Sequence, residues 1–380
     1  MSSSLSGRQL VFLASIDWPQ TWQRHQALAS AFAAQEAEVF FVENTGFRGL
    51  RPKDAKRLAA RARRLFGVQP GGPASEPPPL GVKLFAPAVL PPTAGIFRSL
   101  NSRLLLPSLA SRLRAAGLRD GAVVFVYLPT ATSLSLLDLL KPATVIYDCV
   151  DNFSGHPTPP ADLKKTETEL LRRSALVLTT SPTLFAAYDG RHPRVREIHH
   201  GVSGDFFLNA PARGRVSTIA YFGTIWSVLD YAPIAALAEA GFLVSLIGPV
   251  KEAPPPLPPG VVMPGPLPRS GLPSALGHFD ALILPYADIP YNRGVLPAKI
   301  YECLATGLPV LASPLPALEP LRNLLRICKT GEEFVAAARG LAVSDSEDKR
   351  RARIAAANAH RTELQAEKIA AEIAAAESKR

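Results

Sequence analysis

The stretch from residue 292 to residue 313 reads NRGVLPAKIYECLATGLPVLAS and carries the most information about the fold. It predicts a loop, a short helix, a turn and a buried strand, in that order. Pro297 suits the first turn of the helix, Gly307 suits its end, and Pro309 opens the apolar run of the strand. A helix that passes through a glycine turn into a buried strand is typical of α/β proteins with parallel sheets.

Two polar side chains of the predicted helix suggest a nucleotide site. Lys299 and Glu302 are three residues apart, so they share one face of the helix. The start of a helix offers N–H groups to an anion, and a lysine there can meet a diphosphate. A glutamate one turn later can accept hydrogen bonds from both hydroxyls of a ribose. The same residues would equally suit a surface salt bridge, and their spacing alone leaves both interpretations open.

The rest of the chain alternates short β-rich runs with longer helical patterns, which predicts βαβ units and parallel sheets. The first predicted strand lies at residues 9–16, and the pattern restarts with a strand at residues 217–222. We therefore predict an N-terminal domain at residues 1–208 and a C-terminal domain at residues 209–344. A helical segment follows at residues 345–380.

The composition excludes several classes of protein. With 47% apolar residues the chain is too apolar to be disordered, and 19% charged residues is low for a coiled coil. The three cysteines, Cys149, Cys303 and Cys328, form no CxxC pair, which argues against a disulfide scaffold and a zinc ribbon. No apolar run reaches the roughly 18–20 residues of a membrane span, and the first ten residues lack a signal-peptide pattern. We expect a soluble, cytoplasmic protein.

The formal charge of +10 is concentrated in one stretch. Residues 1–150 carry 17 basic and 9 acidic side chains, whereas residues 151–380 carry 25 and 23. Most of the excess lies in Arg48–Arg64, which would form a basic amphipathic helix. Such a helix can lie on an anionic membrane, grip phosphates or simply be solvated; nucleic acid is less favoured because no aromatic residues accompany the charge. The candidate membrane-contact residues are Arg57, Arg61 and Arg64.

The stretch at residues 292–313 resembles the donor-site helix of GT-B glycosyltransferases, in the form Pro-x-Lys-x-x-Glu-x-x-Ala-x-Gly-x-Pro-Val. Three further stretches resemble strands of the same fold at the expected separations: Ile219–Trp226, Leu243–Pro249 and Phe279–Tyr286. The likeness is to a divergent branch of the group 1, family-4-like enzymes, several of which build exopolysaccharides. It implies an α/β chain with the GT-B fold, in which two Rossmann-like domains present parallel sheets to an interdomain cleft.

The resemblance implies a donor site in the C-terminal domain. Glu302 would bind the nucleotide ribose, and Lys299 would neutralise the diphosphate leaving group in place of a metal. The donor would be a nucleoside diphosphate sugar, with UDP as the expected nucleotide and with no cofactor and no metal. Gly294 stands where retaining relatives carry an additional glutamate, so inverting and retaining transfer both remain open. The candidate donor-binding residues are Gly223, Thr224, Pro297, Lys299, Tyr301 and Glu302.

Two carboxylates mark another predicted strand end, in the stretch VIYDCVDNFS at residues 145–154. A carboxylate there can accept the proton of an acceptor hydroxyl during inverting glycosyl transfer. The stretch resembles the Tyr-Asp-x-x-Asp-x-Phe motif of the same branch, which makes Asp151 the candidate catalytic base and gives Asp148 the role of orienting the loop. Alternatively, one of the two caps the following turn.

Acceptor sites of the GT-B enzymes lie where the first strand leads into a helix, here Ser15–His25. This is the expected place for a ligand in an open parallel sheet. Asp17, Trp18 and His25 are therefore the candidate acceptor-binding residues. The tryptophan would equally suit packing, and the histidine would equally suit a surface or core position. The superfamily also commonly returns its last helix to the N-terminal domain, and Arg353–Ala375 is the stretch that would do so.

These features together predict a glycosyltransferase, of hexosyl or glycuronosyl type, that moves a sugar to an acceptor hydroxyl. The acceptor would be a lipid-linked or polysaccharide precursor glycan at the cytoplasmic face of the inner membrane, with peripheral contact to anionic lipid and no nucleic-acid partner. A nucleotide-sugar epimerase and a non-catalytic nucleotide-sugar-binding protein are the alternatives. A dinucleotide-dependent oxidoreductase is disfavoured because no Gly-x-Gly-x-x-Gly follows the first strand.

Overall fold

The computed structural model of the chain describes residues 5–47, 76–90, 95–156, 159–208 and 216–378. The predicted basic segment Arg48–Arg64, with Arg57, Arg61 and Arg64, lies outside the described residues.

The chain forms two compact units. The first comprises Met1–Ile198 together with Ala366–Arg380, and the second comprises His199–Gln365. From the sequence we predict the junction at residue 208. In the structure, residues 199–208 belong to the second unit because Val202 and Phe206, both fully buried, lie in its core.

The first unit contains a seven-stranded sheet in which every pair of neighbouring strands is parallel. Its strand order is β3-β2-β1-β4-β5-β6-β7. Parallel strands that are covered on both faces read as continuous apolar runs, and β1 (QLVFL) and β4 (VVFV) are buried along their whole length. The strands are β1 (Gln9–Leu13), β2 (Glu38–Val42), β3 (Val82–Phe85), β4 (Val123–Val126), β5 (Thr144–Cys149), β6 (Leu176–Thr179) and β7 (Val195–Glu197).

Helices alternate with these strands. A π-helical turn, Asn101–Leu105, joins the helix Gly95–Leu100 to the helix Leu106–Ala115. The described α-helices of the first unit that precede residue 199 are α1 (Arg24–Ala34), α2 (Gly95–Leu100), α3 (Leu106–Ala115), α4 (Ala131–Leu140), α5 (Leu163–Arg173) and α6 (Pro182–Tyr188).

The second unit contains a six-stranded, all-parallel sheet of order β10-β9-β8-β11-β12-β13. This is the doubly wound order of a Rossmann-like domain, in which the chain reverses its winding direction between the first and fourth strands. The strands are β8 (Thr218–Phe222), β9 (Leu243–Ile247), β10 (Val261–Gly265), β11 (Ala281–Leu284), β12 (Val310–Ala312) and β13 (Arg326–Ile327). The helices that lie wholly within this unit are α7 (Ala232–Glu239), α8 (Leu272–Leu276), α9 (Pro290–Arg293), α10 (Ile300–Ala305), α11 (Gly331–Ser344) and α12 (Glu347–Asn358). The last helix of the described residues is α13 (Thr362–Glu377).

Side-chain caps set the starts of four helices. Thr130, Ser181, Thr330 and Ser346 precede α4, α6, α11 and α12, and each accepts a hydrogen bond from the backbone N–H three residues later. Such a cap satisfies one of the N–H groups that has no partner within the helix. Ser346 thus marks the start of α12, and the C-terminal region, predicted as one long helical stretch from about residue 345, consists of two helices, α12 and α13.

Helix α13 begins in the second unit, and its residues from Ala366 onward belong to the first. Ile369 and Ile373 are fully buried in the core of the first unit. At the end of the helix, the Glu377 carboxylate accepts hydrogen bonds of 2.8 and 2.7 Å from the guanidinium of Arg8. From Ala366 onward, the last helix is therefore an integral part of the first unit. No helix in the described ranges is long and apolar enough to cross a membrane.

We predict that Ile373→Ala lowers the free energy of unfolding by about 2–5 kcal/mol, because it leaves a cavity in the core of the first unit. Urea-induced unfolding measures the effect. Leu364→Ala, at a 39% exposed position of the same helix, is the matched control and should change stability far less. Equal effects of the two substitutions would contradict the burial of α13 in the first unit.

Candidate functional site

A lysine ammonium lies at the point where the second sheet reverses its winding direction, between β8 and β11. Lys299 immediately precedes α10, and its Nζ donates to the hydroxyl oxygens of Tyr221, at 3.2 Å, and Tyr286, at 3.1 Å. Tyr221 belongs to β8, and Tyr286 follows the end of β11 by two residues. In open parallel sheets, ligands bind outside the carboxyl ends of the strands at this switch point. The cation therefore lies where a ligand is expected.

The tyrosines around Lys299 keep the ammonium protonated but contribute no negative charge that would neutralise it. The Nζ atom is 4.7 Å from the ring centroid of Tyr221 and 5.6 Å from that of Tyr286, so the aromatic rings also stabilise the cation. Burial favours loss of the proton, but the two tyrosine oxygens outweigh this effect and raise the pKa of Lys299 above its ordinary value. Within the described ranges, no carboxylate forms an ion pair with this lysine. The site thus offers a positive charge to an incoming anion.

Two glycines bring the ends of β8 and β9 close to the lysine. A Cβ atom on Gly223 would lie 2.5 Å from the Nζ of Lys299, and one on Gly248 would lie 2.0 Å from the carbonyl oxygen of Gly223. Both glycines have a positive φ, +127° and +152°. The backbone at these strand ends therefore approaches the lysine and the neighbouring strand to a distance that no side chain permits.

We predict that Gly248→Ala destabilises the second unit severely, because the new methyl group would overlap the backbone of Gly223. Gly241→Ala is the matched control, since Gly241 also has a positive φ, +95°, but has no atom within 4 Å of an added Cβ. The control should cost about 1–3 kcal/mol from backbone strain alone. Thermal unfolding compares the two, and equal losses would contradict the close approach of the strand ends.

Glu302, the predicted ribose ligand, forms an ion pair with an arginine that the sequence analysis did not single out. Nη1 of Arg269 donates to Oε1 of Glu302 over 3.1 Å, and the two side chains are 15% and 14% exposed. Arg269 opens a short 3₁₀-helix, Arg269–Gly271, after β10. Its guanidinium carbon lies 5.2 Å from the ring centroid of Phe206. The arginine stands 33 residues before the glutamate, so no local spacing reveals the pair.

Two other predicted donor residues have different surroundings. The backbone carbonyl of Thr224 accepts a 3.0 Å hydrogen bond from the hydroxyl of Tyr221, which places the threonine beside the lysine cluster. Tyr301 is only 1% exposed and packs in the core of the second unit. Its hydroxyl is 2.6 Å from Nδ1 of His199, and its ring is stacked on that of His360 at 3.8 Å. The tyrosine therefore packs α10 against the core of the second unit.

Pro297 does not lie in the first turn of the helix, and that expectation is wrong. Helix α10 begins at Ile300, whose N–H donates to the carbonyl of Pro297 over 2.9 Å. Pro297 and the two residues after it form a turn that leads into the helix. Because α10 contains only six residues, we attribute the positive potential of the site to Lys299 rather than to the helix dipole.

In the first unit, the winding reverses between β1 and β4, and a buried histidine lies there. His25 of α1 is 1% exposed; its Nε2 is 2.8 Å from Oγ of Ser15, and its ring is 3.9 Å from that of Tyr127. Burial, together with the charge of Arg24, lowers the pKa of His25 to about 3. The imidazole is therefore neutral at physiological pH. Because the ring is buried, an acceptor would reach this pair through the half-buried Ser15.

The other two predicted acceptor residues lie in the same strand-to-helix connection. Trp18 is 4% exposed, and its ring makes edge contacts with those of Trp22 and Phe41 at 5.8 and 4.9 Å. This is the packing interpretation that the sequence left open. Asp17 is 8% exposed and accepts a 3.2 Å hydrogen bond from the side-chain amide of Gln20.

The two aspartates at the end of β5 differ in burial. Asp148 is fully buried, and both its oxygens accept from Nε of Arg24, at 3.1 and 2.9 Å. It therefore ties β5 to α1. Asp151 is partly buried and is the second residue of the loop after the strand. The side chain that caps the following turn is that of Asn152, which accepts from the N–H of Gly155 at 3.2 Å.

Sequence reasoning missed the partners that hold the candidate residues in place. Tyr221 and Tyr286 lay inside quoted stretches but were not assigned to the site, and Arg24 was not considered as the partner of Asp148. Strand order brings these groups together, and neither composition nor spacing encodes that order locally.

Within the described ranges, no group of three or more His, Cys, Asp or Glu side chains is arranged to hold a metal ion.

Comparison with known proteins gives one curated relative. The chain is 27% identical over 208 residues to a protein of Bacillus subtilis strain 168 named "Putative teichuronic acid biosynthesis glycosyltransferase TuaH". The matched region covers 47% of this chain and 52% of that protein, so the chain spans about half the length of its relative. No protein-family model matches the sequence.

Solved structures match almost the whole chain. Sucrose-phosphate synthase from Thermosynechococcus elongatus has a TM-score of 0.64 at 13% identity and covers 98% of this chain and 100% of its own. Anabaena HepE in complex with UDP and glucose has a TM-score of 0.62 at 13% identity, with 97% and 100% coverage. An Escherichia coli structure titled as trehalose-6-phosphate bound with UDP-2-fluoro glucose has a TM-score of 0.60 at 12% identity, with 96% and 98% coverage. The predicted fold of two Rossmann-like units with parallel sheets is confirmed.

Proposed function

We propose that this chain, which has the GT-B fold, is a glycosyltransferase that moves a sugar from a nucleoside diphosphate sugar to an acceptor hydroxyl. The observation that carries the proposal is the Lys299 ammonium, which lies at the switch point of the second sheet without a carboxylate partner in the described ranges. A fold alone does not define an activity. The Lys299 ammonium lies where such folds bind ligands, and a cation at that position can bind a diphosphate.

The second unit would bind the donor. Departure of a nucleoside diphosphate leaves negative charge on the terminal phosphate, and a fixed cation in a partly buried site stabilises that charge. Lys299 is held by two tyrosine hydroxyls, so little reorganisation would be needed when the bond breaks. Gly223 would let the phosphates approach the backbone, and Glu302 would accept the hydroxyls of the ribose.

UDP is the expected nucleotide. HepE was solved with UDP and glucose, and the Escherichia coli neighbour was solved with UDP-2-fluoro glucose. These ligands belong to those proteins, and they support the proposal here because the fold is shared. A UDP-sugar would need no cofactor, since the sugar is already activated by its leaving group.

The first unit would bind the acceptor and supply the base. Asp151 follows the end of β5 and is partly buried, a position in which a carboxylate can receive a proton from a hydroxyl. Asp148 would position the loop rather than contact the acceptor, because its buried ion pair with Arg24 fixes the strand from which the loop starts. Ser15 would be the accessible member of its pair with His25.

We further propose that the acceptor is a lipid-linked or polysaccharide precursor glycan at the cytoplasmic face of the membrane. The Bacillus subtilis relative is named as a putative teichuronic acid biosynthesis glycosyltransferase, which supports a glycan under construction as the acceptor. The basic segment Arg48–Arg64 in the sequence would favour contact with anionic lipid.

We predict that Lys299→Met weakens the binding of UDP by about 10- to 150-fold, the range expected for a lost hydrogen bond to a charged group. Isothermal titration calorimetry measures the dissociation constant. Lys329→Met, at an exposed lysine of the same unit, is the control and should leave it unchanged. Equal affinity in Lys299→Met and the unchanged chain would overturn the donor site.

We predict that Asp151→Asn lowers the turnover number by about 10²- to 10⁴-fold, because a general base is lost. The assay follows transfer of radiolabel from UDP-sugars to a bacterial membrane lipid extract. UDP affinity should stay the same, and Asp189→Asn, an exposed aspartate of the same unit, should keep full activity. Full turnover in Asp151→Asn would assign the base to another residue.

A further inference from the structure

The carboxylate of Glu302 is held from a distant part of the chain by Arg269. The contact uses one guanidinium nitrogen and one carboxylate oxygen, at 3.1 Å. Both side chains are about 15% exposed, so solvent screens the pair less than it screens a surface salt bridge. The pair therefore constrains the direction in which Glu302 points.

The arginine is itself fixed on two sides. Its guanidinium carbon lies 5.2 Å from the ring centroid of Phe206, a fully buried residue of the second unit. Its backbone opens a 3₁₀-helix between Pro268 and Pro273, and proline restricts the backbone on both sides of this turn. Because the arginine is held in this way, its hydrogen bond restricts the orientations that the carboxylate of Glu302 can adopt.

We propose that Arg269 is a positioning residue for nucleotide recognition, which aligns Glu302 with the two hydroxyls of the donor ribose; this inference rests on the proposed function. The single contact to Oε1 leaves Oε2 and the remaining lone pairs of the carboxylate to accept from the 2′ and 3′ hydroxyls. A carboxylate that is already aligned loses less rotational freedom on binding, which favours affinity.

The geometry favours this role over a phosphate contact. One nitrogen of Arg269 is committed to Glu302, and the guanidinium also lies against Phe206. The cation at the switch point is supplied by a different residue, Lys299, which contacts Tyr221 and Tyr286. Arg269 follows β10, at the edge of the sheet, whereas the tyrosines belong to the central strands or follow them.

The test compares three probes by calorimetry: UDP, 2′-deoxy-UDP and UMP. The ratio of UDP to 2′-deoxy-UDP affinity reports the contact with the ribose, and the ratio of UDP to UMP affinity reports the contact with the terminal phosphate. We expect the unchanged chain to prefer UDP over 2′-deoxy-UDP by about 10-fold or more. In Arg269→Ala this preference should fall towards 1 while the UDP-to-UMP ratio is retained. Arg269→Lys should give an intermediate preference.

Arg322→Ala is the matched control, because Arg322 forms an arginine–glutamate pair with Glu319 in the same unit but is 66% exposed. It should leave both ratios unchanged. Thermal unfolding of each variant shows that it is folded, and Arg269→Lys provides the comparison if Arg269→Ala does not fold.

Each other outcome overturns a defined statement. An unchanged preference for UDP over 2′-deoxy-UDP in both Arg269 variants would show that Arg269 does not position Glu302. Loss of the UDP-to-UMP ratio instead would make Arg269 a phosphate contact and would also overturn the inference. If the unchanged chain binds UDP but does not distinguish 2′-deoxy-UDP, the ribose role of Glu302 fails and the inference fails with it. If the unchanged chain binds none of the three nucleotides, the proposed function itself fails.

Discussion

The proposed donor site depends on one charge, the ammonium of Lys299 between the hydroxyls of Tyr221 and Tyr286. A partly buried cation costs free energy to desolvate, and the two tyrosine hydroxyls and their rings offset that cost without contributing a full negative charge. A bound diphosphate would supply the opposite charge. The strand order, the glycine at the end of β8 and the turn before α10 all serve to place this group at the switch point of the sheet.

The two units use the same topological solution for different chemistry. In the second unit, the switch point presents a charged lysine; in the first, it presents a neutral histidine beside a half-buried serine, Ser15. The difference follows from the surroundings. Burial and the neighbouring Arg24 lower the pKa of His25, whereas tyrosine oxygens raise that of Lys299. Under the proposed function, the second unit would bind the anionic leaving group and the first would bind the uncharged acceptor hydroxyl.

Local patterns predicted most of the regular structure, because apolar strands and capped helices are encoded within a few residues. They did not identify the short strands β7 and β13, the single-turn helix α9 or the 14-residue helix α11. The polar half of the site was predicted to the extent that it lies in one motif, Lys299 to Glu302. The role of Arg269 could not be predicted from the sequence. Its ion pair with Glu302 depends on how the chain after β10 folds back, and no periodic pattern of residues indicates that contact. The sequence also could not show that Tyr301 faces the core.

A crystal structure of the chain with UDP would show whether Lys299 binds the donor phosphate. We expect the nucleotide at the carboxyl ends of β8 and β11, with the Nζ of Lys299 about 3 Å from an oxygen of the terminal phosphate. The ribose hydroxyls would contact the carboxylate of Glu302. A nucleotide bound elsewhere on the second unit, with Lys299 still contacting only the two tyrosines, would contradict the account.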